Sequence, residues 1–73
     1  MNGPETVEFP SSSNLASATY DPDTETLHVD FVSGDGYDYF NVPRATYRGL
    51  AQAPSAGSYF HRNIRQRYAY EQT

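Results

Sequence analysis

The chain has 73 residues, a formal net charge of -4, 15% aromatic residues and no Cys or Trp. That length holds one domain with a modest core, of stability roughly 4 to 11 kcal/mol at ~0.05 to 0.15 kcal/mol per residue, in which a deep catalytic cleft would be costly. The absence of Cys excludes disulfides and thiolate metal sites, and no apolar run approaches the ~20 residues of a membrane-spanning helix.

Residues 1–13 hold Pro4, Pro10 and a Ser11-Ser12-Ser13 run around an alternating Val7 and Phe9, which predicts a flexible N-terminal arm. Two readings of Val7 and Phe9 fit equally: they tuck against a sheet edge, or Thr6 to Phe9 adds a strand to a partner. Met1 to Glu5 has neither the basic nor the apolar region of a leader, so a soluble protein of the cell interior is expected. Leu15 to Tyr20 reads as the first strand. Asp21-Pro22-Asp23-Thr24 is a turn, with Pro presetting the backbone angle and Asp capping it.

Thr26 to Phe31 has the clearest strand pattern, with Leu27, Val29 and Phe31 on one face and His28 and Asp30 on the other. Ser33-Gly34-Asp35-Gly36 supplies the glycines of a hairpin turn. The third strand runs from Gly36 to Val42, placing Tyr37 and Tyr39 on one side and Phe40 and Val42 on the other. Pro43 removes a backbone donor, ends the strand and suits the first turn of a helix. Helical spacing follows over Arg44 to Ala53, and Pro54 stops it. Ser55 caps a second helix to Tyr68, whose Phe60, Ile64 and Tyr68 form one apolar stripe. Ala69 to Thr73 is expected to fray unless Tyr70 is pinned, with residues 71–73 as a C-terminal tail. The expected fold is α+β: a three-stranded antiparallel β-meander followed by two α-helices packed on one face, with a single domain over residues 14–70.

Charge is unevenly distributed. Residues 1–40 carry Glu5, Glu8, Asp21, Asp23, Glu25, Asp30, Asp35 and Asp38 with no Lys or Arg, whereas residues 41–73 carry Arg44, Arg48, Arg62, Arg65 and Arg67 against Glu71 alone. An all-Arg cation set suits flat, stacked or bidentate contacts, although arginines also simply coat helices.

Little here points to catalysis. His28 and His61 are the only histidines, and zinc needs three or four convergent ligands, so no metal is expected. Ser55 with His61 is explained by a helix cap beside an exposed imidazole, and Asp21 with Asp23 by a turn where nothing separates their pKa values. Ala53-Pro54-Ser55-Ala56-Gly57 lacks the lysine of a phosphate loop. The chain is therefore expected to be no enzyme and to need no cofactor. Interleaved Arg and aromatic residues between Tyr59 and Tyr68 suit phosphates or stacked bases, but the acidic balance opposes nucleic acid. A partner surface is expected from side chains the core does not need: Val7, Glu8 and Phe9 in the arm, with Arg62 and Arg65 off the second helix's apolar stripe.

Tyr20-Asp21, Leu27-x-Val29-x-Phe31, Gly36-Tyr37-x-Tyr39, Val42-Pro43, Ala53-x-Ser55-x-Gly57-x-Tyr59-Phe60 and Ile64-Arg65-x-x-Tyr68 together resemble the KTSC domain. That family takes its name from the C-terminus of some lysyl-tRNA synthetases. The match covers about residues 12–70 and implies three strands then two helices, with an RNA-binding role only suggested. With its acidic arm, the free-standing chain looks like the small bacteriophage KTSC-like regulators that bind host bacterial RNA polymerase. That resemblance implies a monomer in the host bacterial cytoplasm that inhibits initiation or causes antitermination, with a small RNA-binding module as the alternative. RNA or DNA contact is not expected to dominate.

Overall fold

Alternation of apolar and polar side chains builds an antiparallel sheet whose one face is covered by both helices. The computed structural model describes residues 3–73. The elements are β1 (Glu5–Glu8), β2 (Leu15–Asp21), β3 (Thr26–Phe31), β4 (Gly36–Tyr39), α1 (Arg44–Gln52), α2 (Ala56–Asn63) and β5 (Tyr70–Gln72), with sheet order β1-β2-β3-β4-β5. The core joins Leu15, Ala18, Tyr20, Leu27, Val29 and Tyr39 of the sheet to Tyr47, Leu50, Ala56, Phe60 and Ile64 of the helical half.

The α+β class and the three central strands are as the pattern predicts, but the sheet has five strands rather than three. The first extra strand lies within the stretch read as an arm, of which Met1 and Asn2 fall outside the described residues. Val7 pairs with Ala18 on the covered side, and on the other Thr6 Oγ1 lies 3.1 Å from Thr19 Oγ1. Glu5 is held by Arg44, whose Nε donates to Glu5 Oε2 over 3.1 Å and whose Nη2 reaches the same oxygen. Phe9 continues the pairing, its N–H donating to the Ala16 carbonyl at 3.0 Å. Flanking Pro and Ser suggest disorder, yet a four-residue strand needs only a partner edge and one covered apolar side chain to form.

The second extra strand uses the expected tail. Tyr70 pairs with Tyr39 and Gln72 with Tyr37, while the Phe40 N–H donates to Ala69 and the Thr73 N–H to Gly36, both at 2.9 Å. Tyr70 is pinned.

Turns account for the remaining differences. Gly34 takes φ +100° as a hairpin glycine should, whereas Gly36 is a buried strand residue whose missing Cβ leaves room for Thr73, Asp30 and His28. Strand β4 stops at Tyr39 because Asn41 enters the left-handed region at φ 59°, a conformation Asn tolerates. Val42 is fully buried all the same: its N–H donates to Glu25 (2.8 Å), and its carbonyl accepts the Tyr20 hydroxyl (2.6 Å).

Pro43 stands at the N-cap position of α1 without a side-chain cap, and Ser55 caps α2 by accepting the Ser58 N–H at 3.3 Å. Helix α2 ends at Asn63, short of the predicted Tyr68, because the Asn63 amide donates to the Tyr59 carbonyl and competes with the backbone ladder. The Ile64 and Arg65 N–H groups then converge on the Phe60 carbonyl, and a turn carries the chain to Tyr68. Phe60 and Ile64 are buried as the stripe requires, and Tyr68 packs against the core with its hydroxyl 3.3 Å from Thr46 Oγ1.

Candidate functional site

The uncovered face of the sheet is polar and rich in acids. Glu8, Ser17, Thr19, Asp21, His28, Asp30, Asp38 and Glu71 occupy its register positions, opposite to the residues that enter the core. At its centre, His28 Nδ1 lies 2.7 Å from Asp38 Oδ1 and Nε2 lies 3.0 Å from Asp30 Oδ1. A neutral imidazole donates from one nitrogen only, so both contacts are hydrogen bonds only when the ring is cationic. Partial burial is the largest single influence and pulls the His28 pKa down, but the hydrogen bonds and charges of Asp38 and Asp30 together raise it above 6.5.

Because the folded value is raised, the stabilisation is fully present below pH ~6.5, the unfolded value, and is lost as pH rises through the folded pKa. An NMR titration of the His28 Cε1 proton should give a midpoint above 6.5. Denaturant-derived stability should decline across the same interval in the wild type but not in His28→Asn. A midpoint at or below 6.5 would remove the carboxylate bracket from this account.

A second region lies on the helix side of the sheet, where β4, β5 and the end of α2 enclose an open groove of about 650 Å3. Its floor and walls are rings. Phe31 meets Tyr37 and Phe60 edge-on, at centroid distances of 5.7 and 5.4 Å, and Tyr39 meets Phe60 at 5.5 Å. Tyr70 closes the set, 5.8 Å from Tyr37 and 5.6 Å from Tyr39, and is still 59% exposed. Burial, then the neighbouring Tyr37 and Tyr70, pushes the Tyr39 hydroxyl pKa up, so this group remains a proton donor at neutral pH. Tyr68, Arg65, His61 and Gln66 form the helical rim, and Asn14, Ser33 and Asp35 the opposite one. Arg65 Nη1 donates towards His61 Nδ1 at 3.4 Å, and the Arg67 Nε–H donates to the Arg62 carbonyl at 3.2 Å. Among the described residues Arg44 is the one arginine in an ion pair, which leaves Arg48, Arg62, Arg65 and Arg67 without a carboxylate partner.

The residues expected to form a partner surface fall in separate places. Val7 is half-buried in β1, Glu8 is exposed, and Phe9 is half-buried against the core beside Pro54 and Gly57. Of the two readings for Val7 and Phe9, the one that tucks them against the sheet describes their packing. Arg62 and Arg65 are exposed at the other end of α2, where Arg65 lines the aromatic groove and Arg62 does not. Asn14 borders both the Phe9 hollow and the groove. The sequence reading missed the joining of Tyr37, Tyr39 and Tyr70 into one wall. Its signal was the alternation of Tyr68, Tyr70 and Gln72, a short strand's period hidden behind the helical stripe. No group of three His, Cys, Asp or Glu suited to a metal occurs among the described residues.

The KTSC domain model matches residues 11–68, most of the chain. The chain belongs to the KTSC domain family. Among KTSC-containing relatives, the lysine–tRNA ligase of Nostoc sp. is 43% identical over 63 residues, which cover 86% of this chain but 11% of the ligase. The ligase of Trichormus variabilis is 41% identical with the same coverage. The chain thus spans about a tenth of the curated relatives it matches first. An uncharacterized protein of Stutzerimonas stutzeri is 40% identical over 60 residues, covering 81% of this chain and 84% of that protein. A crystal structure of a KTSC domain protein from Yersinia pestis superposes with a TM-score of 0.86 at 28% identity, over 97% of this chain and 99% of that one.

Proposed function

We propose that this KTSC domain is a non-enzymatic regulator that binds a subunit of host bacterial RNA polymerase and thereby inhibits initiation or redirects termination. Support comes from the resemblance to phage-encoded regulators of this family and, above all, from the separation of charge on the fold. The uncovered sheet face carries acids, and α2 with its following turn carries unpaired arginines. A large protein assembly presents both signs of charge, so opposed surfaces favour docking and orientation on such a partner. This reading places the chain in the host bacterial cytoplasm as a monomer without cofactor. A second reading, a small RNA-binding module, is favoured by the aromatic groove and by relatives whose name, lysine–tRNA ligase, includes an RNA substrate.

The deciding measurement is binding of the labelled chain to purified polymerase holoenzyme, followed by run-off and terminator assays with the same components. Saturable binding and altered transcription are expected, with Glu8→Arg or Arg62→Glu weakening the complex by at least ~1 to 2 kcal/mol while the melting temperature holds. Failure to bind polymerase, together with salt-dependent RNA binding, would leave the second reading.

A further inference from the structure

We infer that the aromatic groove is a binding site for single-stranded RNA, in which one or two unstacked bases lie on the tyrosine wall and Arg65 receives a phosphate. This gives the second reading a site and does not depend on polymerase binding, since a regulator docked through other surfaces can still hold RNA here. Tyr70 is the first element of the argument: a large ring left 59% exposed, held edge-on to Tyr37 by strand pairing rather than by burial. Exposed rings fixed by a sheet suit stacking, because a base gains contact area without ordering a mobile side chain.

Charge is the second. Arg65 borders the groove with no carboxylate partner, and Arg62 in the last turn of α2 and Arg67 in the turn that follows are also unpaired among the described residues. Asp35 is the one acid on the rim among the described residues; Asp30, Asp38 and Glu71 lie on the uncovered side of the sheet, and Glu5, on the covered side at the far edge, is paired with Arg44. The chain's overall negative charge therefore sits mostly away from the groove. Polar groups of Asn14, Ser33 and Gln66 on the rims are placed to meet ribose hydroxyls, which an RNA has and a DNA lacks. A groove of about 650 Å3 falls in the size range of sites that take a small planar group such as an unstacked base.

The test uses the full chain and a fluorescein-labelled ten-nucleotide oligouridylate, read by anisotropy, with ring ¹H–¹³C NMR spectra alongside. Expected are saturable binding, shifts of the Tyr37, Tyr39, Tyr68 and Tyr70 rings, at least tenfold weaker binding for Arg65→Glu and Tyr70→Ala, and wild-type affinity for Tyr70→Phe. Few phosphates are engaged, so the logarithmic salt slope should stay near that of two or three contacts, about -0.7 per phosphate. The inference is overturned by binding that leaves those rings unmoved, by equal affinity for the deoxy oligomer, or by a proline-rich decapeptide that shifts the rings where the oligonucleotide does not. Loss in Tyr70→Ala with equal loss in Tyr70→Phe also overturns it, since stacking needs the ring and not its hydroxyl.

Discussion

Phe60→Ala is expected to lower the stability of this protein by about 3 to 5 kcal/mol, the usual range for truncating a buried aromatic side chain. Phe60 is 4% exposed and lies edge-on to Phe31 of β3 and Tyr39 of β4, at 5.4 and 5.5 Å. It is therefore the side chain through which α2 grips two central strands. Edge-to-face pairs add about 0.5 to 1.5 kcal/mol beyond the area they bury, and both are lost together. A domain of this size has only roughly 4 to 11 kcal/mol in total, so the variant should lose a large part of its stability. Urea titration followed by circular dichroism measures this, with Arg62→Ala, on the exposed side of the same helix, as a near-neutral control. A loss below 1 kcal/mol would mean that α2 does not hold the sheet.

Tyr20→Phe isolates a single buried hydrogen bond. The Tyr20 ring is 1% exposed and stacked on Tyr47 at 5.1 Å, and its hydroxyl donates to the Val42 carbonyl at 2.6 Å. Burial raises the hydroxyl's pKa and keeps it protonated through the neutral range. Phe preserves the stack and removes only the donor, stranding a carbonyl in the core, so about 1 to 3 kcal/mol should be lost. Since 1 kcal/mol moves the midpoint of a domain this small by about 4 to 8 °C, thermal melting resolves the effect easily. An unchanged melting temperature would mean that another donor reaches the Val42 carbonyl.

What the sequence displayed most clearly was what its periodicity encodes directly. Leu27, Val29 and Phe31 announced β3, and Pro43 and Ser55 marked both helix starts, because each of these features is local. Strands β1 and β5 were hidden for one shared reason. Each is an edge element of three or four residues that forms only against a partner strand, and neither has an apolar run of its own. The overextension of α2 came from a correct stripe misread: Tyr68 lies on the core side, but it arrives there by a turn after Asn63 diverts its own helix. The candidate groove was legible only in fragments. Its rings come from four separate segments, and no spacing rule joins Phe31, Tyr39, Phe60 and Tyr70.

The pairing of β4 with β5 also bears on the order of events when this chain folds and opens. Strands β1 to β4 follow one another as hairpins, so each contact closes over a short loop, whereas β5 must return to β4 across a span that contains both helices. Closing the longer span costs more chain entropy, and a three-residue exposed strand repays little of it. The last strand should therefore join late in refolding and detach first in the native ensemble, with amide exchange at Tyr70 to Gln72 faster than in β3. Each such opening would dismantle the tyrosine wall while leaving Phe60 and the central strands in place. Occupancy of the groove would then slow exchange at this one strand, so a ligand's arrival would be recorded in the protection of three terminal amides.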